Sequence, residues 1–369
     1  DPSKSRGLGD VYKRQIERGY DAEFAQRCFK QIEGFGTYGF PESHAASFAL
    51  LVYASAWLKC HYPEVFTCAL LNAQPMGFYS PAQLIGDAQR SGVEVRPVDI
   101  NYSAWDSTLE LVPQARHALR LGLRLVKGLN AVEAARITAC RSESYQSVED
   151  IITRSDISAK TIELIAAADG LRSLGLNARQ GFWQARKQGR LQMNKLPLFA
   201  QADNRTKIIK QDDDSYLKLP PSLFGEQIAQ DYTATGLSLK GHPVDSLKAW
   251  FEKDRWQGCS AIDEAPNGRR LRLIGLVTMR QRPGTAKGTV FVTIEDSLLS
   301  VNVIVWPHIV ERDRTALLGA HLMGVYGRLQ RQGPITHFIA ESVHNCDSYL
   351  GFLHASDQQA PRLKSRDFH

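Results

Sequence analysis

This chain of 369 residues has no run of the ~18 apolar residues that a bilayer-spanning helix needs. Its longest apolar stretch, residues 45–58, contains two serines and is followed at once by Lys59. A secretory leader is lacking too. Asp1-Pro2-Ser3-Lys4 has no initiator Met and no charged-then-apolar pattern, which points to a cytoplasmic protein whose chain begins within a longer one. Cysteine is sparse: Cys28, Cys60, Cys68, Cys140, Cys259 and Cys346 form no Cys-x-x-Cys and no Cys/His cluster of ligand spacing, so they read as reduced thiols and not as a metal site. Catalytic patterns are missing as well. There is no phosphate loop, no paired Asp-x-Asp site and no nucleophile beside a base, and Asp212, Asp213 and Asp214 read as solvated charge in a polar stretch. On its own residues the chain is not a catalyst and binds no cofactor.

What is present is enough apolar residue, 43%, to bury real cores in two or three domains. The net charge of +6 is unevenly spread. Between Arg116 and Arg190 there are thirteen Lys/Arg against seven Asp/Glu, and between Gly268 and Cys346 ten against five, while the remainder is acidic. Two separate basic windows suggest two surfaces for a polyanion.

Periodicity predicts helices over 16–33, 42–60, 63–72 and 81–91. The second follows a glycine and aromatic knot (residues 34–41), and it is apolar on nearly every side, which implies burial. A strand is expected within 93–100, with 108–112 as its partner, and a helical period returns from 118. Helices over 131–140, from 147 and over 158–168 make two helical hairpins in tandem. A polar stretch from 189 to 232 reads as linker, followed by helices over 224–235 and 243–253. Beyond 270 the class changes, with strands over 271–280, 288–296, 301–306, 322–331 and 336–344 and a helix over 307–318. Five strands with a helix between the third and fourth is the order of an OB barrel. The expected fold class is multidomain α+β: a helical end (1–75), a small α/β connector (76–117), a helix-hairpin-helix domain (118–190), a linker with short helices (191–265), the five-stranded OB barrel (266–348) and a tail (349–369).

Four candidate sites follow. The turn Lys127-Gly128-Leu129-Asn130 before a helix has the shape of a helix-hairpin-helix, whose glycine and helix N-terminus let backbone N–H groups approach a phosphate. Arg124, Arg136 and Lys160 would add charge to Lys127, although a plain helical hairpin explains the turn equally well. In the barrel, Arg280, Arg282, Lys287, Arg328 and Arg331 fall at strand mouths among the aromatics Phe291, Tyr326 and Phe338, the combination by which OB folds hold single strands, although alternation places some of those aromatics in the core. The island Lys195-Leu196-Pro197-Leu198-Phe199 approximates the peptide pattern that sliding clamps take, with Lys195 where that pattern favours Gln; its anchors would be Leu196, Leu198 and Phe199, although docking back on its own domain explains the island equally well. Ser43 and His44, at a helix start, could touch a nucleotide phosphate or serve as cap and core histidine.

The segment Gly36-Thr37-Tyr38-Gly39-Phe40-Pro41-Glu42-Ser43-His44-Ala45-Ala46-Ser47-Phe48-Ala49-Leu50-Leu51, with Trp57-Leu58-Lys59, closely resembles the fingers of bacterial C-family DNA polymerases, the superfamily of the polymerase III alpha subunit. Leu71-Asn72-Ala73-Gln74-Pro75-Met76-Gly77-Phe78-Tyr79, Arg280-Gln281-Arg282-Pro283-Gly284-Thr285-Ala286 and the terminal Ser365-Arg366-Asp367-Phe368-His369 look like the error-prone branch. The likeness runs from about residue 16 to 369; residues 1–15 depart from it. It implies the C-terminal third of a damage-tolerant polymerase, with the end of the fingers, a tandem helix-hairpin-helix and an OB domain. The metal-binding carboxylates of the palm would lie upstream, so nucleotidyl transfer with Mg2+ would belong to the parent and this piece would be inactive alone. The resemblance also implies a catalytically inactive Y-family-like adaptor and a recombinase-like accessory protein as partners, besides DNA. It places Ser43 and His44 facing the nucleotide triphosphate, and it leads one to expect a glycine in the turn Asp296-Ser297-Leu298-Leu299. The rival class is a stand-alone adaptor for DNA repair or RNA binding.

Overall fold

The computed structural model describes residues 14, 16–24, 26–28, 42–75, 77, 79–113, 116–194, 222–333, 335–353 and 366–368. Two compact units divide the chain, residues 1–66 and residues 67–369.

In the first unit the principal element is helix α1, Glu42–His61. The sequence implied a buried helix. Instead Phe48, Leu50, Leu51, Val52, Tyr53 and Trp57 are all exposed. Among the described residues no helix is long and apolar enough to cross a membrane. Helix α2, Pro63–Asn72, carries the chain into the second unit.

The second unit opens with α3, Pro81–Arg90, started by a reciprocal capping box between Ser80 and Gln83. Three short strands follow, β1 Val95–Arg96, β2 Thr108–Glu110 and β3 Ala118–Arg120. Here the sequence reading fails: β1 and β2 do not pair. Each flanks β3, the first parallel and the second antiparallel. β3 falls where a helical period was expected, since its three residues are buried on both faces and carry no alternation.

Four helices follow this sheet: α4 Ala131–Ala139, α5 Val148–Ser155, α6 Ala159–Ala167 and α7 Ala178–Asn194. Asn130, Ser147 and Ser158 cap the first three, each side chain accepting a backbone N–H, a contact whose loss to Ala costs about 1 kcal/mol. α7 extends to Asn194, through the region read as the start of a linker. Ile100, Leu119, Leu123, Ile137, Ile151, Ile162, Ile165 and Leu171 form their common core.

Helices α8, Phe224–Ala234, and α9, Pro243–Phe251, act as a bridge. Leu237 joins the helical core, while Val244, Leu247 and Phe251 pack with Ile274, Leu276 and Leu322 of the barrel. After the single turn α10, Ala261–Glu264, come β4 Arg270–Gln281, β5 Val290–Glu295 and β6 Ser300–Val305, then β7 Leu322–Gln332 and β8 Ile335–Asn345. The pairings β4–β5, β5–β6, β6–β8, β8–β7 and β7–β4 close a five-stranded mixed barrel, with β6–β8 parallel. Closure brings backbones very near: a Cβ on Gly327 would collide with Ile339 O. The expected helix over 307–318 is broken at Asp313 into α11, Pro307–Arg312, and α12, Arg314–Gly319. The turn after β5 manages without its expected glycine, because the Asp296 carboxylate accepts from Leu298 N at 2.9 Å and Leu299 N at 2.8 Å. A last strand, β9 Arg366–Phe368, lies parallel to Met279–Gln281 of β4.

Candidate nucleic-acid interface

The first hairpin turn is built as its sequence requires. A 3-10 turn, Leu123–Leu125, leads to Gly128 at φ +82°, a left-handed conformation natural to glycine, and Asn130 Oδ1 accepts from Val132 N at 2.8 Å to start α4. Two of its cations are committed elsewhere. Arg124 donates to Asn72 O at 2.5 Å, Gln74 O at 2.9 Å and the Asp106 carboxylate at 2.8 Å, so it ties the end of α2 to the loop before β2. Lys127 Nζ donates to Tyr232 O at 2.6 Å and Thr233 O at 2.9 Å, at the C-terminus of α8. Arg136, with a bond to Asp156 O at 3.2 Å, and Lys160 are exposed.

A second turn of the same design lies 47 positions on, counting from the first turn's glycine to its own at Gly175, and sequence reasoning missed it. Gly175-Leu176-Asn177-Ala178 repeats Gly128-Leu129-Asn130-Ala131 letter for letter, and that repeat was the available signal. Gly175 again has positive φ, +74°, after a 3-10 turn, Arg172–Leu174. Asn177 and Gln180 cap α7 reciprocally, at 2.9 and 3.1 Å. Asp99 fixes the turn, accepting from Ser173 Oγ at 2.7 Å and Ser173 N at 3.1 Å. Beside it is a cavity of about 350 Å³ lined by Arg172, Arg179, Lys240, Gln227 and Gln230. Its charges are partly met within the protein: Arg172 pairs with Asp169 at 2.5 Å, and Lys240 Nζ sits between Asp169 at 3.0 Å and Asp231 at 2.8 Å. Burial pushes the Asp231 carboxyl up against the pull of Lys240.

In the barrel the expected cations separate into two kinds. Arg280 is turned inward, only 6% exposed, donating to Leu317 O at 2.7 Å and to Ala320 O. Arg331 is tied to Ile262 O and Asp263 O at the end of α10. Both act as cross-links within the domain, because the reach of a long side chain lets each guanidinium meet helix-end carbonyls. Arg282, Lys287 and Arg328 are exposed and form no ion pair among the described residues. The loop bearing Arg282 and Lys287 makes a 3-10 turn, Gly284–Ala286, then takes Lys287 to φ +48° and Gly288 to +89°. Gly288 lies against Pro307, so the loop stands beside Trp306, which is 45% exposed. The outer face of β4, β5 and β6 carries Gln281, Phe291 and Ile304 in one cross-strand row, with Phe291 exposed. Trp306 was not among the sequence candidates; it follows β6 two residues after Ile304, where the period of two keeps it on the outer face.

The bridge is hydrogen-bonded to the barrel as well. Ser297 Oγ donates to Asp245 Oδ1 at 2.8 Å. His242 caps α9, its Nδ1 accepting from Val244 N at 3.3 Å, while its buried Nε2 has no partner; burial holds its pKa at about 4. Burial raises Glu295 of β5 to about 7.

Ser43 and His44 occupy the first turn of α1, but their side chains lie outside the described residues, as do Leu196, Leu198 and Phe199. Among the described residues no group of three His, Cys, Asp or Glu side chains could hold a metal ion.

A model described as helix-hairpin-helix motif matches residues 92–181, which include both Gly-Leu-Asn-Ala turns and the Asp99 loop that fixes the second. The chain is 44% identical to error-prone DNA polymerase 2 of Rhizobium meliloti strain 1021 over 96% of its own length and 33% of that protein. It is 45% identical to error-prone DNA polymerase 2 of Agrobacterium fabrum over 94% of its length and 32% of that protein. With the error-prone DNA polymerase of Brucella abortus biovar 1 it shares 44% identity over 94% of its length and 32% of that protein. Among solved structures, asparaginyl-tRNA synthetase from Pyrococcus horikoshii is 21% identical over 24% of this chain and 22% of that one, with a TM-score of 0.22, too local a likeness to carry an argument. The chain spans about one third of the length of the curated relatives it matches. Over that third, it is similar to proteins named error-prone DNA polymerase.

Proposed function

We propose that this chain is the C-terminal, DNA-holding part of an error-prone, translesion DNA polymerase. The two Gly-Leu-Asn-Ala turns grip the backbone of primer-template duplex through N–H groups and nearby cations, without reading sequence. The barrel holds single-stranded DNA, with Arg282, Lys287 and Arg328 on phosphates and Trp306 and Phe291 stacking on bases. The observation that carries this reading is the exposed loop of Arg282 and Lys287 beside an exposed Trp306, on the outer face of a closed barrel whose relatives are named polymerases.

Nucleotidyl transfer belongs in this proposal to the whole polymerase, in which Mg2+ would supply charge stabilisation on the phosphates. Among the described residues no cluster of His, Cys, Asp or Glu fits such a metal. Ser43 and His44 are proposed to face the incoming nucleotide, Leu196, Leu198 and Phe199 to bind a sliding clamp, and the whole protein to work in the cytoplasm with a Y-family-like adaptor and a recombinase-like accessory protein during the response to DNA damage. The direct test is fluorescence anisotropy of labelled primer-template and single-stranded oligonucleotides with this chain. Sequence-indifferent binding that weakens with salt supports the proposal, and binding restricted to one sequence or absent for both oligonucleotides overturns it.

A further inference from the structure

The last strand, β9, completes a row of positions on the outer face of the barrel. Along the edge of β4 that carries β7, the antiparallel pairing ends at Leu276. Further along the same edge β9 takes over in parallel, with Met279 opposite Arg366, Arg280 opposite Asp367 and Gln281 opposite Phe368. Without β9 the backbone of Met279–Gln281 would be an open edge on that side. Paired positions in neighbouring strands share a face. Arg280 is buried and turned inward to Leu317 O and Ala320 O, so Met279 and Gln281 belong to the outer face. The register therefore puts Arg366 and Phe368 at outer positions beside them.

The row runs around the barrel. Phe368 is in register with Gln281, Gln281 with Phe291, Phe291 with Ile304, Ile304 with Ile339, and Ile339 with Arg328. At about 4.8 Å per strand it covers roughly 24 Å. Phe291 and Arg328 are exposed within it, and Arg282, the residue after Gln281, is exposed at its β9 end. The segment that supplies β9 has the sign of charge that suits a polyanion: residues 361–369 hold Arg362, Lys364 and Arg366 against Asp367 alone. A segment that closed a basic face against phosphates would gain by being acidic, and this one is basic.

We infer that β9 is a working part of the single-strand interface. Its pairing with β4 widens the face by one strand, Phe368 adds a stacking position beyond Phe291, and Arg366 adds a phosphate contact in the neighbouring row. This rests on the reading of the barrel as a single-strand binder. The test measures anisotropy of a labelled oligothymidylate with the full chain, with Phe368→Ala and with the chain stopped after Ser365, alongside melting and hydrogen exchange of the β4 peptide containing Met279–Gln281. Phe368→Ala is expected to weaken single-strand binding about fivefold or more, with melting, duplex binding and β4 exchange as in the full chain. The shortened chain is expected to lose at least as much and to exchange faster at Met279–Gln281. Undiminished binding by either variant overturns the inference while the barrel remains a single-strand binder. Tighter binding by the shortened chain overturns it by making β9 a cover, and unchanged β4 exchange overturns it by showing that the pairing is not held in solution. A full chain that binds no oligothymidylate removes both this inference and the reading beneath it.

Discussion

Lys127 reaches across 105 positions of sequence to close the C-terminus of α8, its ammonium donating to Tyr232 O at 2.6 Å while its own N–H donates to Ala234 O at 2.8 Å. The residue immediately before the turn glycine thus fastens the bridge to the first hairpin. A cation on helix-end carbonyls stabilises by about 1 kcal/mol. Lys127→Met is therefore expected to lower stability by about that amount in a denaturant titration, with an unchanged m-value.

The two turn glycines are expected to behave alike. Both Gly128 and Gly175 have positive φ, and a Cβ at Gly175 meets nothing within 4 Å. Gly175→Ala should therefore cost only backbone strain, about 1–2 kcal/mol, and Gly128→Ala a similar amount. Thermal melting checks this, with a shift of roughly 2–4 °C per kcal/mol. A neutral outcome at Gly175 would mean that the turn is not held in this conformation.

Arg280 and Arg282, two residues apart, should fail in opposite ways. Arg282→Ala with Lys287→Ala should leave melting unchanged while reducing the salt slope of single-strand binding by about 0.7 for each charge removed. Arg280→Met should leave that slope unchanged and cost about 3 kcal/mol, because Leu317 O and Ala320 O lose their donor inside the fold.

Trp306 provides the stacking test. Trp306→Ala is expected to lose about 1–3 kcal/mol of single-strand affinity, read by anisotropy, and to leave duplex binding and melting unchanged.

Glu295 makes stability depend on pH. Its folded pKa, about 7, is above the ordinary carboxylate value because burial disfavours the charge. The native state therefore holds a proton that the unfolded state releases, and stability falls as pH rises from about 4.5 to about 7. Glu295→Gln should stabilise by about 1–2 kcal/mol at pH 8, discounted for partial solvent contact, with no gain at pH 4. His242 works on the acid side: with its pKa lowered to about 4, stability is lost as pH falls from about 6.5 towards 4. His242→Asn, which keeps an N-cap acceptor, should remove that loss.

Most of the architecture was legible in the sequence because strong local periods decided it. The five barrel strands and the capped helices alternate or repeat cleanly, and Asn130, Ser147 and Ser158 announce their starts. The strand Ala118–Arg120 was not legible, since three residues buried on both faces carry no period. Among the site residues, Gly128 and Asn130 stand where the sequence placed them. A guanidinium's destination was beyond sequence reasoning: Arg124, Arg280 and Arg331 have the same composition-level signal as Arg282, and only tertiary packing brings carbonyls within their reach. Trp306 was hidden by its position past the strand end, and α1 was misjudged because an apolar helix shows that it needs a cover without showing where that cover lies.

The central claim, that the two basic modules grip the sugar-phosphate backbone, is tested most directly by titrating this chain onto primer-template DNA at several salt concentrations. Arg136, Lys160, Arg282, Lys287 and Arg328 together predict a plot of log affinity against log salt with a slope on the order of −3 to −5. A flat plot would contradict it.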